Sequence, residues 1–295
     1  MRDALPFFSI IIPTNNRPTQ LDVCLESLAR LDYPRDRFEV IVVDDGSRNP
    51  LEAVIAPFRS QLDVTLLSEP QAGPATARNT GAARAKGEFL AFIDDDCLAA
   101  PDWLRALVAR LVEAPDRIVG GRTANALPNN QYSTASQLLV SYLYTYYDAN
   151  FNQARFFASD NLALPTDRFQ AIGGFDPSFP FAAAEDRDLC DRWLLRGYRM
   201  TYAPEALVHH THPLTLCTFW RQHFNYGRGA FHFHKLHAQR TGQHIRIEPL
   251  SFYLNLLCYP LSHARDRRTI LLAALLMLSQ VANAAGFWWE AGLER

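Results

Sequence analysis

The chain opens with a short β-branched apolar run, FFSIIIP over Phe7–Pro13, bounded by Pro13-Thr14-Asn15-Asn16. That pattern predicts a strand ending in a turn. From Gln20 to Leu31 the period changes. Leu21, Cys24, Leu25 and Leu28 recur at i, i+3, i+4 and i+7, which predicts a helix, and Pro34 closes the region. FEVIVVDDGS over Phe38–Ser47 is a second strand running into a turn. Leu51–Phe58 reads as helix, Asp63–Leu67 as strand and Thr76–Ala85 as helix. Gly87 then punctuates before the strand Phe89–Ile93. Strands alternating with helices predict an α/β fold, a mainly parallel central sheet flanked by helices. Ligands of such sheets sit beyond the carboxyl ends of the strands. Pro13-Thr14-Asn15, Asp44-Asp45 and Asp94-Asp95-Asp96 all fall at those ends.

The middle of the chain is less regular. Trp103–Leu111 reads as helix and Ile118–Arg122 as strand. Tyr132–Tyr147 is a helix or a mobile segment over the site. Phe156–Leu164 returns as strand, and Arg168–Ile172 leads into the turn Gly173-Gly174-Phe175-Asp176. Glu185–Gly197 is a helix with Asp188 four residues before Arg192, and Arg199–Tyr202 is a last short strand. From Leu216 the chain turns aromatic and basic, then apolar over Leu250–Leu261 and Thr269–Trp289. The last run is about the ~20 residues that cross a bilayer. Ser279, Gln280 and Asn283 interrupt it, so an interfacial helix or a packed bundle fits as well. The basic residues at 263–268 suit a cytoplasmic membrane face. The expected division is 1–215 as one domain, with a nucleotide-binding half at 1–100 and an acceptor half at 101–215. Residues 216–295 form a helical, membrane-associated C-terminal extension.

Composition narrows the partners. With 295 residues, 48% hydrophobic and 20% charged, the chain can bury a full core. Its net charge of −2 gives no global field for nucleic acid, so any anion must meet local groups. Five cysteines, odd in number and without a CxxC pair, argue against metal knuckles and a disulfide framework and for a reducing compartment. MRDALPFFSIIIPT carries no signal-peptide pattern, so the catalytic part is expected in the cytoplasm, at the inner face of the membrane.

Like charges in a row need a reason. Two carboxylates ~6 Å apart repel by ~3 kcal/mol at an effective dielectric of ~20. A divalent cation removes that repulsion, and so few protein ligands suit Mg²⁺ or Mn²⁺. Alternation along an extended strand puts Asp94 and Asp96 on one side and Asp95 on the other. A solvated acidic loop explains the same residues. Asp44-Asp45-Gly46-Ser47 is turn chemistry, though a turn needs only one aspartate. Glu185-Asp186 at a helix start is favoured by the dipole, or one of the pair is a general base. Arg78 holds a diphosphate or supports the sheet. His209, His210 and His212 ligate metal or face solvent.

Five pieces in order resemble the family 2 glycosyltransferases of GT-A fold. They are IIPTNNRP, VIVVDDGS, GPATARNTGAARAKGEFLAFIDDDCLAAPDW, NLALP with IGGFD, and AEDRDLCDRWLLRGY. The resemblance covers about Phe8 to Ala230. It implies inverting transfer of a sugar from a nucleotide-diphosphate donor to a hydroxyl acceptor. The apolar tail points to a lipid-linked or cell-surface glycan as that acceptor. It places Pro13, Thr14, Asn15 and Arg17 at the nucleotide and Asp44 or Asp45 near the base. Arg78 supports the nucleotide or diphosphate, and Asp94 and Asp95 stand at the donor. Asp96 falls at the metal-binding acid, with His210 as a further metal or diphosphate contact. Asp186 matches the catalytic base, with Glu185 beside it. Cys97 stands where many relatives carry another acid. The Gln-x-x-Arg-Trp pattern of processive synthases is absent, which implies single-sugar transfer. A catalytically inactive glycan-binding scaffold and a sugar nucleotidyltransferase are the competing readings. The second is disfavoured because PTNNRPTQ stands where those enzymes carry a Gly-rich basic loop.

Overall fold

The computed structural model describes residues 5–147, 154–179, 182–243, 248–262 and 267–293. Part of the basic stretch ahead of the last helix, 263–266, lies outside these, as do residues 1–4 and part of the region expected to form the acceptor half, 148–153.

In chain order the elements are β1 (Phe8–Thr14), α1 (Pro18–Leu28), β2 (Phe38–Asp45), α2 (Glu52–Ile55), β3 (Val64–Glu69), α3 (Pro74–Arg84) and β4 (Phe89–Ile93). Then follow β5 (Cys97–Ala99), α4 (Trp103–Glu113), β6 (Ile118–Asn125), α5 (Gln131–Tyr147), β7 (Asn161–Pro165) and α6 (Thr166–Ala171). The chain continues through α7 (Glu185–Leu195), β8 (Met200–His210), α8 (Leu216–Thr241), α9 (Leu250–Cys258) and α10 (Arg267–Leu293). One sheet carries all eight strands in the order β3-β2-β1-β4-β7-β6-β8-β5. β1 to β4, β6 and β8 run one way, with β5 and β7 against them. β1, β2 and β4 are buried along their whole length, as strands covered on both faces must be. One face packs on Leu21 and Leu25 of α1 and Trp103 and Leu107 of α4. The other meets Phe169, Phe175, Leu189 and Trp193. Pro18 and Pro74 sit in the first turns of α1 and α3, where a missing N–H costs nothing.

Three expectations need correction. The strand after α7 does not stop at Tyr202 but continues to His210. Pro204 and Glu205 interrupt its apolar pattern, and a bulge absorbs them: Gly121 pairs with Ala203, and Arg122 resumes with Leu207. The segment 154–160 is irregular, so β7 begins only at Asn161. The edge strand β5, not foreseen, follows the aspartates and pairs Cys97 with His210.

The C-terminal helices pack on the sheet domain and on one another. At the α8–α10 crossing, a Cβ on Gly227 would overlap the Asn283 carbonyl, and one on Gly286 the Phe224 carbonyl. Leu276 and α9 residues Phe252 and Leu256 cluster with Leu139 and Tyr142 of α5. Among the described residues, one helix is long and apolar enough to cross a membrane, Arg268–Leu293, with mean hydropathy 1.8.

Candidate active site

A cavity of about 1520 Å³ opens beyond the carboxyl ends of β1, β2 and β4 and runs on between α5, α7, α8 and α10. Residues Asp94 to Asp96 form its floor as a turn, with Cys97 N donating to Asp94 O at 3.1 Å. The strand ends at Ile93, so the alternation expected of Asp94 and Asp96 does not hold. Asp95 and Asp96 share the Arg17 guanidinium, whose Nη1 stands 3.1 Å from Asp95 Oδ1 and 2.9 Å from Asp96 Oδ2. Asp95 also accepts from Thr14 Oγ1 at 2.7 Å. Burial pushes the Asp95 carboxyl up to about 6, against Arg17 and Thr14. Asp94 instead meets Arg78 Nη2 at 2.7 Å.

The two aspartates at the end of β2 part company. Asp44 accepts from Ser47 N at 2.9 Å and closes the turn. Asp45 lines the cavity and accepts from Ala72 N and Gly73 N, with Asn15 donating to its carbonyl. Pro13, Thr14, Asn15 and Arg17 line the same end.

Arg78 reaches across the cavity. Its second nitrogen, Nη1, lies 3.2 Å from Glu185 Oε1, so one buried guanidinium ties the aspartate turn to the start of α7. In this arrangement Arg78 is engaged by carboxylates. Ala184, just before α7, is left-handed at φ 72°, a conformation costly for a residue with a Cβ. Ala183 is pressed by α8, where a Cβ on Gly229 would overlap the Ala183 carbonyl. This strained corner turns Glu185 and Asp186 into the cavity, and Asp186 accepts from Arg187 N at 2.7 Å. Burial raises both carboxyls above the usual range, and the neighbouring charge of Asp186 adds to the rise at Glu185.

At the other side of the floor, His210 Nε2 is 3.2 Å from Asp96 Oδ1 and His212 Nδ1 3.3 Å from Asp96 Oδ2. The imidazoles stack at 5.1 Å, and the three ligand atoms lie within 4.8 Å of one another. Burial opposes charge on Asp96, but the hydrogen bonds from both histidines and the charges of His210 and Arg17 outweigh it, and the carboxyl sits far below its usual range. Burial likewise opposes charge on His210, and the bond to Asp96 overrides it to raise His210 to about 9. One carboxylate and two imidazoles this close form a donor set that fits a divalent cation.

Several lining residues were not singled out from the sequence. Of His209, His210 and His212, the resemblance marks only His210, whereas the structure brings His212 to Asp96 as well. The two-residue spacing was the available signal, since i and i+2 share a side in extended chain. Asp160, which lines the cavity and accepts from Thr123 Oγ1 at 3.3 Å, is pushed up by burial to about 6. Gln222 and Tyr226 reach the site from α8. Nothing local marks these three, because each enters through tertiary packing.

The family model described as "Glycosyl transferase family 2" matches residues 9–173, more than half of the chain. Glycosyltransferase AglE of Haloferax volcanii is 29% identical over 216 residues, 71% of this chain and 68% of that protein. Validoxylamine A glucosyltransferase of Streptomyces hygroscopicus is 30% identical over 68% of this chain, and pre-mycofactocin glycosyltransferase of Mycobacterium tuberculosis 29% over 79%. The chain spans about half the length of these last two, 54% and 48%. Among solved structures, the mannosyltransferase PcManGT of Pyrobaculum calidifontis, in complex with GDP-Man and Mn²⁺, aligns with 99% of this chain and 81% of its own at TM-score 0.65 and 20% identity. Staphylococcus aureus TarS 1-349 in complex with UDP-GlcNAc aligns at TM-score 0.57 and 17% identity, over 98% of this chain and 91% of its own. At those identities the structures speak for the fold alone, and that fold is GT-A. Taken with the match of the family model from β1 through the aspartate turn to α6, this chain belongs to glycosyl transferase family 2 and is a glycosyltransferase.

Proposed function

We propose that the protein moves one sugar from a nucleotide-diphosphate donor to a hydroxyl of a lipid-linked or cell-surface glycan, with inversion, at a membrane surface. The observation that carries this is the convergence of Asp96 and Asp186 on one cavity, joined through Asp94, Arg78 and Glu185. The nucleotide lies at the end formed by Pro13, Thr14, Asn15 and Asp45. Asp44, committed to its turn, serves the backbone there. Arg17 neutralises Asp95 and Asp96, and Asp94 stands nearest the ribose. Asp96, His210 and His212 hold a divalent cation, and Mn²⁺ suits a site with two imidazoles better than Mg²⁺. When bound, the cation offsets the charge that gathers on the departing diphosphate. Asp186 takes the proton of the acceptor hydroxyl as that oxygen attacks the anomeric carbon. Attack on the face opposite the leaving group inverts the configuration. Glu185 and Arg78 hold Asp186 in place.

The acceptor end favours a lipid-linked substrate. Beyond Asp186 the cavity is lined by Leu143 of α5, Phe252 and Tyr253 of α9, and Phe287 of α10. Ile270, Met277, Val281 and Trp288 follow at spacings of 7, 4 and 7, within about 40° of one helix face at 3.6 residues per turn. They are 78%, 49%, 51% and 65% exposed. The opposite face of α10 is occupied by α5, α8 and α9. A helix held on one side and apolar on the other suits lying on a membrane rather than crossing it alone.

The test is a panel of sugar nucleotides with Mn²⁺, read by thermal shift and by release of nucleoside diphosphate. At least one donor should stabilise the protein and turn over with a polyprenyl-linked acceptor. Asp186→Asn should lose turnover while binding that donor with nearly unchanged affinity in calorimetry. Full turnover by Asp186→Asn would remove Asp186 as the base.

A further inference from the structure

We infer that Gln222 is a positioning residue that holds the Nε2 hydrogen of His212 and thereby fixes the ring with Nδ1 turned to a cation. The inference rests on the reading of Asp96, His210 and His212 as a metal site. Gln222 Oε1 lies 2.9 Å from His212 Nε2, on the side of the ring away from Asp96. Its amide nitrogen has two other partners, Ser136 Oγ at 3.0 Å and Tyr226 Oη at 2.9 Å. An amide nitrogen carries two N–H groups and no free acceptor, so both are spent on these hydroxyls. The carbonyl is therefore turned to His212, and what it can take from Nε2 is a hydrogen. With Nε2 protonated, a neutral imidazole keeps its lone pair on Nδ1. Nδ1 is the atom that faces Asp96 Oδ2, at 3.3 Å, and belongs to the ligand cluster, so a bound cation would take the place of the hydrogen that Nδ1 otherwise shares with that carboxylate.

The arrangement has an architectural consequence. Ser136 belongs to α5, and Gln222 and Tyr226, four residues apart, lie on one face of α8. Asp96 comes from the turn between β4 and β5, with Thr211 N donating to its carbonyl at 2.8 Å. The cation site thus depends on the docking of α5 and α8 over the sheet, although neither helix supplies a ligand. Ligand imidazoles elsewhere are oriented by just such an outer hydrogen bond, whose loss costs about 10–100-fold in metal affinity.

Two measurements on the full chain test this. In the protein with ¹⁵N-labelled histidine, long-range ¹H–¹⁵N correlations should show a hydrogen on His212 Nε2, both without a cation, when Nδ1 shares a hydrogen with Asp96, and with one bound. Gln222→Leu should shift it toward Nδ1–H. The absence of a hydrogen from Nε2 in the unaltered protein overturns the inference. In calorimetry with Mn²⁺ alone, Gln222→Leu should bind about 10–100-fold more weakly. Gln222→Glu, which keeps an acceptor and the side-chain volume, should bind at least as well as the unaltered protein. An unchanged Mn²⁺ affinity in a folded Gln222→Leu, or equal losses in the Leu and Glu variants, overturns it. Asp96→Ala separates the two levels. If it loses Mn²⁺ while Gln222→Leu does not, only the role of Gln222 falls. If Asp96→Ala binds Mn²⁺ normally, the metal reading falls and this one with it.

Discussion

Arg78 Nη1 stands 3.2 Å from Glu185 Oε1, although 107 positions separate the two residues. Both side chains are buried, and the other arm of Arg78 holds Asp94 at 2.7 Å. Removing the guanidinium leaves Glu185 charged or forces it neutral in a dry place. Arg78→Met should therefore lower stability by about 3–5 kcal/mol, the range for breaking a buried pair from one side. Urea unfolding measures it. Arg78→Met combined with Glu185→Gln should recover part of the loss. If the double variant is no more stable than the single one, the pair is not the source of the cost.

The same pair sets a pH dependence. Asp186 must be ionised to accept a proton, and burial has raised its pKa. The acid limb of kcat/KM should then lie above the ordinary carboxylate range, with activity rising as pH rises through it. Glu185→Gln removes a neighbouring negative charge and leaves the Arg78 charge less compensated. Both changes favour the ionised form of Asp186, so the limb should move to lower pH. A limb that stays put, or moves to higher pH, would detach Asp186 from the titration.

Metal preference follows from ligand chemistry. Asp96, His210 and His212 offer one oxygen and two nitrogens, whereas Mg²⁺ favours oxygen and keeps its waters. Turnover after chelation should return further with Mn²⁺ than with Mg²⁺, and His212→Ala should weaken the advantage of Mn²⁺. Full activity in the presence of chelator would refute a metal role altogether.

The exposed stripe on α10 makes a separate prediction. Ile270→Ser with Met277→Ser should reduce co-sedimentation with anionic lipid vesicles several-fold, since each residue removes a largely exposed apolar side chain. Thermal stability should change little, because neither side chain is buried. Vesicle binding equal to that of the unaltered protein would leave the stripe without a lipid role.

The α8–α10 crossing can be probed by size alone. Gly286→Val places atoms where the Phe224 carbonyl lies, and the helices must separate. A cost of about 1–3 kcal/mol is expected for such overpacking, read as a lower unfolding temperature. An unchanged temperature would mean that the tail contributes nothing to the folding unit.

Much of this protein is written locally. The strands β1, β2 and β4 announce themselves because a parallel strand buried on both faces must be continuously apolar, and Thr14, Asp45 and Asp94 mark where each run stops. The order of those stops already implied a site at one edge of the sheet. What no window of sequence contains is which side chain meets which. Asp94 and Asp96 diverge because the chain turns at Ile93, and Arg78 finds Glu185 because α3 and α7 pack on the same sheet face. His210 reaches Asp96 only because a bulge carries β8 past Pro204 and Glu205. Periodicity records burial, which is a property of each residue against its own element. Contact between distant elements depends on how the whole core closes, and that was decided in three dimensions.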